Sequence, residues 1–138
     1  MKEKDVLRII DANLNRFREA LRVCEDTARF AMGHEVATFK LKRLRHDVAA
    51  TLALSKKIKY TALVSSRDIK NDIGKATTSS ELKRRDARSV LAANLQRAKE
   101  SVRVLEEFAK VFDHAMALSF KKARFRLYEI EKGLIEKL

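Results

Sequence analysis

Residues 12–30 of the chain, ANLNRFREALRVCEDTARF, recur 81 positions later as residues 93–111, ANLQRAKESVRVLEEFAKV. The two stretches share 9 of 19 residues without a gap. The same offset places Phe39, Lys40, Arg43 and Arg45 over Phe120, Lys121, Arg124 and Arg126. The repeat therefore predicts a duplicated unit made of two helices and their turn.

The two copies of the repeated stretch share polar residues, whereas many of their apolar residues differ. Five polar positions recur with the same residue type, and they pair Asn13, Arg16, Glu19, Arg22 and Glu25 with Asn94, Arg97, Glu100, Arg103 and Glu106. Packing constrains mainly the apolar side chains, which are the ones most often buried. The retained polar residues therefore indicate a role beyond packing.

The chain has no proline and only three glycines, so long helices can run uninterrupted. Apolar residues recur at spacings of three and four over about residues 5–32, 35–57, 81–112 and 115–137. We predict an all-α fold, a four-helix bundle of two duplicated antiparallel helical hairpins with a long irregular connection. Residues 1–138 would form a single domain, with repeat 1 at about 5–57, the connection at about 59–80 and repeat 2 at about 81–137.

The predicted connection between the hairpins is longer than a bundle normally needs. Thr78 and Glu81 form a plausible capping box that would open the third helix. A functional interpretation is a ligand-binding lid that carries Arg67, Asp68, Asp72 and Gly74. The alternative is a plain crossover with a short strand at residues 60–64.

Composition narrows the class of protein and the compartment. The net charge of +12 and the pI near 10.1 suit a polyanionic partner, although a lysine-rich solvated surface explains much of such an excess. No signal-peptide-like segment or membrane-length apolar run is present, and Cys24 is the only cysteine. These features predict a cytoplasmic protein with no intrachain disulfide and no membrane association.

The duplicated asparagines and arginines form the sharpest candidate site. Asn13 with Arg16, and Asn94 with Arg97, are predicted to point partly inward, where a guanidinium needs an anion. That anion would be a ligand or a nearby carboxylate such as Glu19 or Glu100, which are themselves candidate substrate contacts.

Two further candidates lie on the second helix, where the 81-residue offset aligns His46 with Leu127. His46 and its neighbour Arg45 would then face inward, as substrate contacts or as a satisfied core histidine with its neighbour. No metal-binding spacing, phosphate-binding glycine loop, nucleophile elbow or dinucleotide fingerprint is present. Any phosphate site must therefore be built from side chains and helix N-termini.

Five ordered motifs resemble a known family. They are RIIDANLNRFREALRVCEDTARF (8–30), LKRLRHDV (41–48), SRDIKNDIG (66–74), AANLQRAKESVRVLEEFAK (92–110) and ARFRLYEIEK (123–132). Together they resemble the alternative hydroxymethylpyrimidine phosphate kinases, the all-helical domain often fused in front of thiamine phosphate synthase. The resemblance implies ATP-dependent conversion of 4-amino-5-hydroxymethyl-2-methylpyrimidine phosphate to the diphosphate in thiamine biosynthesis. It covers the helical domain only and implies no synthase activity.

The implied reaction gives roles to the candidate residues. Because the acceptor is already an anionic phosphate, positioning and charge neutralisation would suffice for catalysis. A basic pocket with Arg16, Arg97 and Arg67 would grip the phosphates, and Asn13 and Asn94 would hydrogen-bond a phosphate or the pyrimidine. Asp68 and Asp72 could hold Mg²⁺, which favours carboxylate oxygens.

The sequence is also compatible with two other classes of function. A noncatalytic partner module would bind a separate thiamine phosphate synthase without turning over ATP. An RNA-binding module is the weaker alternative, because the chain has no tryptophan and only two tyrosines for base stacking. We therefore expect a phosphorylated pyrimidine and ATP as partners, and no nucleic acid. The sequence is also compatible with a homodimer.

Overall fold

The computed structural model describes residues 1–138 and contains no β-strand. Its five α-helices are α1 (Glu3–Asp26), α2 (Glu35–Leu54), α3 (Tyr60–Ser65), α4 (Ala87–Ala109) and α5 (His114–Ile135). A π-helical turn (Thr27–Ala31) extends α1, and a 3₁₀ turn (Ser79–Leu82) precedes α4. The predicted all-α fold is confirmed. None of the helices combines the length and apolarity needed to cross a membrane.

The four long helices form a bundle around one core. α1 packs mainly on α4, α4 on α5, α5 on α2 and α2 on α1, so each helix contacts two neighbours. The core is a single cluster of 27 buried apolar residues. Five core positions of α1 and one of its π-helical turn recur in α4 at the 81-residue offset, and they pair Ile10, Leu14, Phe17, Leu21, Cys24 and Ala28 with Leu91, Leu95, Ala98, Val102, Leu105 and Ala109.

The second helices of the two hairpins, α2 and α5, are related by an offset other than 81 residues. Extending the 81-residue alignment into them is therefore wrong. His34 caps α2 by accepting from the Ala37 N–H, and Asp113 caps α5 by accepting from the Met116 N–H. The two caps are related by 79 positions. The segment that joins α1 to α2 is two residues longer than the segment that joins α4 to α5. The extra length lies in the π-helical turn and Gly33, whose φ of 61° suits glycine.

This change of register moves two predicted site residues. Arg45 corresponds to Arg124 rather than Arg126, and His46 corresponds to Phe125 rather than Leu127. His46 is exposed, which corrects the prediction that it faces inward. The buried counterpart of Leu127 is Val48.

The connection also differs from the prediction in its local structure. Residues 60–64 belong to the short helix α3, not to a strand, and Leu63 of that helix is buried. The Thr78–Glu81 capping box is present, with Glu81 Oε2 accepting from the Thr78 N–H at 3.1 Å, but it opens only the 3₁₀ turn. α4 begins at Ala87 after the N-cap Asp86, later than predicted.

Candidate functional site

The duplicated asparagines are held by their own helices. Asn13 Nδ2 donates to the Ile9 carbonyl oxygen at 2.9 Å, and Asn94 Nδ2 donates to the Val90 carbonyl oxygen at 2.9 Å. Asn13 is buried, and Asn94 is partly buried. Each bond uses one N–H of the side-chain amide, so the second N–H of each side chain and the Asn94 side-chain oxygen make no further bond, whereas Asn13 Oδ1 accepts a long bond from Arg16.

The structure divides the duplicated arginines into three groups, the third of which is Arg22 and Arg103, exposed side chains that contact Glu25 and Glu106 of their own helices. In the first group, Arg45 Nε contacts Glu25 Oε2 at 2.9 Å, and Arg124 Nε contacts Glu106 Oε2 at 2.8 Å. Both carboxylates are buried, and Arg45 and Arg124 each tie the second helix of a hairpin to the first. Arg45 therefore has a structural partner and lies outside the cavities described below.

The buried carboxylate of Glu106 is held in its charged form. Burial by itself would raise the pKa of Glu106, but hydrogen bonds from Arg124 and Arg103 outweigh burial and lower that pKa below its usual value. The folded state therefore binds a proton at Glu106 less readily than the unfolded chain does.

This lowered pKa predicts acid sensitivity. The stabilisation from Glu106 is complete above the unfolded-chain pKa of about 4.3 and is lost as the pH falls through the lower folded-state pKa. We expect the difference in unfolding free energy between wild type and Glu106→Gln to be largest near neutral pH and to shrink below about pH 4. Urea unfolding at several pH values measures this difference. A difference that stays constant into strong acid would contradict the prediction.

Arg16 and Arg97 form the second group, and neither makes a salt bridge. Both are exposed, contrary to the predicted inward orientation. The nearest polar contact of Arg16 is a long one, 3.5 Å from Nη1 to Asn13 Oδ1. Unlike Arg45 and Arg124, these two guanidinium groups keep their charge available for an external anion.

Arg16 lines a cavity of about 700 Å³ between the first half of α1 and the connection. The cavity brings together six of the predicted site residues, Asn13, Arg16, Glu19, Arg67, Asp68 and Asp72. A volume of this size lies within the range of small-molecule sites. We refer to it as the first cavity.

Arg97 lines a second cavity of about 390 Å³ between α1 and α4. Asn94 and Glu100 are the other duplicated residues of α4 in its wall, and Arg84 joins them from the segment before α4. Glu19 lines both cavities, so the two are adjacent. The duplicated Asn, Arg and Glu positions thus meet at one place on the bundle.

An ion pair that the sequence did not predict closes one side of the first cavity. Arg67 Nε and Nη2 donate to the two carboxylate oxygens of Asp11 at 2.6 and 3.0 Å. Asp11 is buried, and Arg8 Nη2 also donates to the Asp68 carbonyl oxygen at 3.3 Å. The second repeat has Ala92 and Ser89 in place of Asp11 and Arg8. This difference between the repeats is the feature of the sequence that could have identified Asp11 and Arg8 as site residues.

The charge of the first cavity differs from the basic pocket expected. Its lining contains three guanidinium groups and five carboxylates, those of Asp5, Asp11, Glu19, Asp68 and Asp72. The Arg67–Asp11 pair is internally neutral, which leaves carboxylates in excess. An excess of this kind repels a phosphate unless a cation accompanies it.

Asp68 and Asp72 have donor oxygens of the kind that Mg²⁺ accepts. Asp68 accepts bonds from the Asn71 side-chain amide and backbone N–H, and these bonds lower its pKa, so its carboxylate is ionised at neutral pH. Asp72 accepts from the Gly74 N–H at 2.9 Å. No group of three or more His, Cys, Asp or Glu side chains is arranged to hold a metal ion. Further ligands would therefore come from phosphate and water.

Not every opening in the bundle belongs to this site. A larger cavity of about 800 Å³ lies at the other end of α1, beside Gly33, His34 and the start of α4. It contains none of the predicted site residues. Arg45 and His46 line neither the first nor the second cavity.

Known proteins with similar sequences locate the chain in a family. The model of the ThiD2 family matches residues 8–133. The chain is 40% identical over 131 residues to a thiamine-phosphate synthase of Synechocystis sp., covering 94% of this chain and 36% of that protein. It is 38% identical over 128 residues to the one of Rhodopirellula baltica, covering 92% and 33% respectively.

The chain spans about a third of the length of these curated relatives. No solved structure matches the chain. The family match extends over both hairpins and the connection, which is the stretch whose motifs carried the resemblance in the sequence. The chain belongs to the ThiD2 family.

Proposed function

We propose that the protein is a kinase of thiamine biosynthesis that phosphorylates 4-amino-5-hydroxymethyl-2-methylpyrimidine phosphate to the diphosphate, with ATP as donor. The observation that carries the proposal is the pair of unpaired arginines, Arg16 and Arg97, in adjacent cavities. Family membership and relatives that are thiamine-phosphate synthases support the pathway.

The reaction suits a site without a strong base. An oxygen of the pyrimidine monophosphate forms a bond to the γ-phosphorus of ATP, while the bond from that phosphorus to the β–γ bridging oxygen breaks and ADP leaves. The attacking oxygen is already anionic, so no residue must remove a proton. Arg16 and Arg97 would orient the two phosphate groups and offset their repulsion.

Asp68 and Asp72 are the residues that would hold Mg²⁺ beside the nucleotide. When bound, the ion would neutralise phosphate charge. Arg67 stands next to them, and its bond to Asp11 would position the connection against α1. These side chains all line the first cavity.

A direct assay tests the proposal. Purified protein with ATP, Mg²⁺ and the pyrimidine monophosphate should form ADP and the pyrimidine diphosphate in equal amounts, at about 1 to 100 turnovers per second or somewhat below. Circular dichroism should first show that the protein is helical. If that protein then forms no more product than a heat-inactivated control, the proposed kinase activity is ruled out.

The connection should respond to ligands. Residues 71–86 are all exposed, whereas Arg67 and Asp68 contact α1 residues. We expect amide exchange in residues 65–77 to slow when an ATP analogue and the pyrimidine phosphate are both present, because closure over the phosphates would exclude water. Asp68→Asn and Asp72→Asn should raise the Mg²⁺ concentration needed for half-maximal rate. Equal exchange with and without ligands, and unchanged Mg²⁺ dependence, would make the connection a fixed crossover.

One observation favours a second candidate, a noncatalytic partner module of a separate thiamine phosphate synthase. Exposed apolar side chains recur at matching places beside the two hairpin turns, Phe30 and Phe39 in the first and Val111 and Leu118 in the second. Such side chains can serve protein association. This candidate predicts binding to the synthase with no ADP formed in the assay above.

A further inference from the structure

The two cavities arose from the same duplicated residues but are no longer equivalent. Asn13, Arg16 and Glu19 line the first, and their counterparts Asn94, Arg97 and Glu100 line the second. The first is about 700 Å³ and the second about 390 Å³. The connection contributes residues such as Arg67 and Asp68 to the first, whereas the second receives Arg84 instead.

The second cavity is suited to a phosphate without a metal ion. Arg97 has no carboxylate partner, and Arg84 donates only to the Lys83 carbonyl oxygen at 2.8 Å. These two guanidinium groups balance the two carboxylates of Glu19 and Glu100 in the lining. Both arginines can therefore bind a monophosphate directly.

The remaining polar groups of the second cavity match an aminopyrimidine edge. Such an edge has a donor amino group beside an acceptor ring nitrogen. Glu19 has no hydrogen-bond partner and can accept from the amino group, while the free N–H of Asn94 can donate to the ring nitrogen. The smaller volume suits the smaller of the two substrates.

The first cavity is suited to a ligand that brings its own cation. Its five carboxylates exceed its three guanidinium groups, and two of the guanidinium groups already have protein partners: Arg67 pairs with Asp11, and Arg8 donates to the Asp68 carbonyl. Arg16, together with Arg8 and its single bond to a carbonyl oxygen, is left for phosphate. A triphosphate with a divalent cation offsets this carboxylate excess, whereas a bare monophosphate does not.

We propose that the first cavity binds the nucleoside triphosphate with its divalent cation and that the second cavity binds the pyrimidine monophosphate. The assignment rests on the proposed kinase function. The duplication has in this view produced two half-sites with different ligands, which meet at Glu19. Phosphoryl transfer would then run from the α1–connection side toward α4.

Separate binding measurements on the full chain test the assignment. Isothermal titration with the pyrimidine monophosphate alone should show an affinity about tenfold or more weaker in Arg97→Ala and close to wild type in Arg16→Ala. Titration with a non-hydrolysable ATP analogue and Mg²⁺ should show the reverse. Arg18→Ala is the matched control, because Arg18 is an exposed arginine of α1 that lines neither cavity.

A paramagnetic probe gives a second readout that does not depend on turnover. With Mn²⁺ and the ATP analogue, amide signals of residues 67–72 should broaden more than those of residues 94–100. Broadening centred on residues 94–100, or the opposite pattern of affinities in the two variants, would overturn the assignment while leaving kinase activity intact. Equal weakening of both ligands by each variant would show one composite site and also overturn it. Failure of wild type to bind either ligand would reject the proposed function itself.

Discussion

Replacing Arg16 or Arg97 with alanine should lower kcat/KM by about ten- to a few hundredfold, because a charge-assisted contact to phosphate contributes about 1.5 to 3 kcal/mol. Each guanidinium is exposed and without a salt bridge, so its loss removes ligand contacts rather than packing. Because the two side chains act at separate cavities, the losses should multiply in the double variant to about a hundredfold or more. Steady-state kinetics with each substrate varied in turn measures both effects.

Thermal melting separates this result from a folding defect. The melting temperatures of both variants should stay close to wild type, and Arg18→Ala should match wild type in activity as well as melting. Variants that melt far below wild type, with unchanged activity per folded molecule, would show instead that Arg16 and Arg97 are structural.

The largest loss of stability is expected from breaking the buried ion pairs. Arg124→Ala leaves the Glu106 carboxylate buried without its main partner, and Arg45→Ala does the same to Glu25. Removing one member of such a pair costs about 3 kcal/mol or more, since the remaining charge stays desolvated. For a chain of this size we expect the melting temperature to fall by about 10 °C. Calorimetry measures the fall.

An exposed partner of the same carboxylate provides the control. Arg103 Nη1 lies 3.2 Å from Glu106 Oε1, but its side chain is 52% exposed. Arg103→Ala should therefore cost less than about 1 kcal/mol. Replacing both buried partners, in Glu106→Leu with Arg124→Met, should recover much of the stability lost in Arg124→Ala. If Arg103→Ala and Arg124→Ala were equally destabilising, burial would not be the cause.

Helical periodicity predicted the main helices because it is a local property. The apolar stripe of α1 and its π-helical turn recurs in α4 at the offset of 81, so five core positions from Leu14 to Ala28 could be aligned correctly with buried positions of α4. The alignment failed only after the first turn, where the π-helical turn and Gly33 add two residues. A change of two residues rotates a helix by more than half a turn, which is why His46 is exposed.

The sequence by itself determined that the chain is helical and internally duplicated, and it identified the recurring Asn, Arg and Glu positions. Only the tertiary structure decided which duplicated arginines are free. Arg45 and Glu25 are 20 residues apart, Arg124 and Glu106 are 18 apart, and Arg67 and Asp11 are 56 apart. Spacings of three and four reveal side-chain neighbours within one helix. Ion pairs between separate elements depend instead on how those elements pack, so the same residue type became a structural partner at Arg45 and an open anion contact at Arg16.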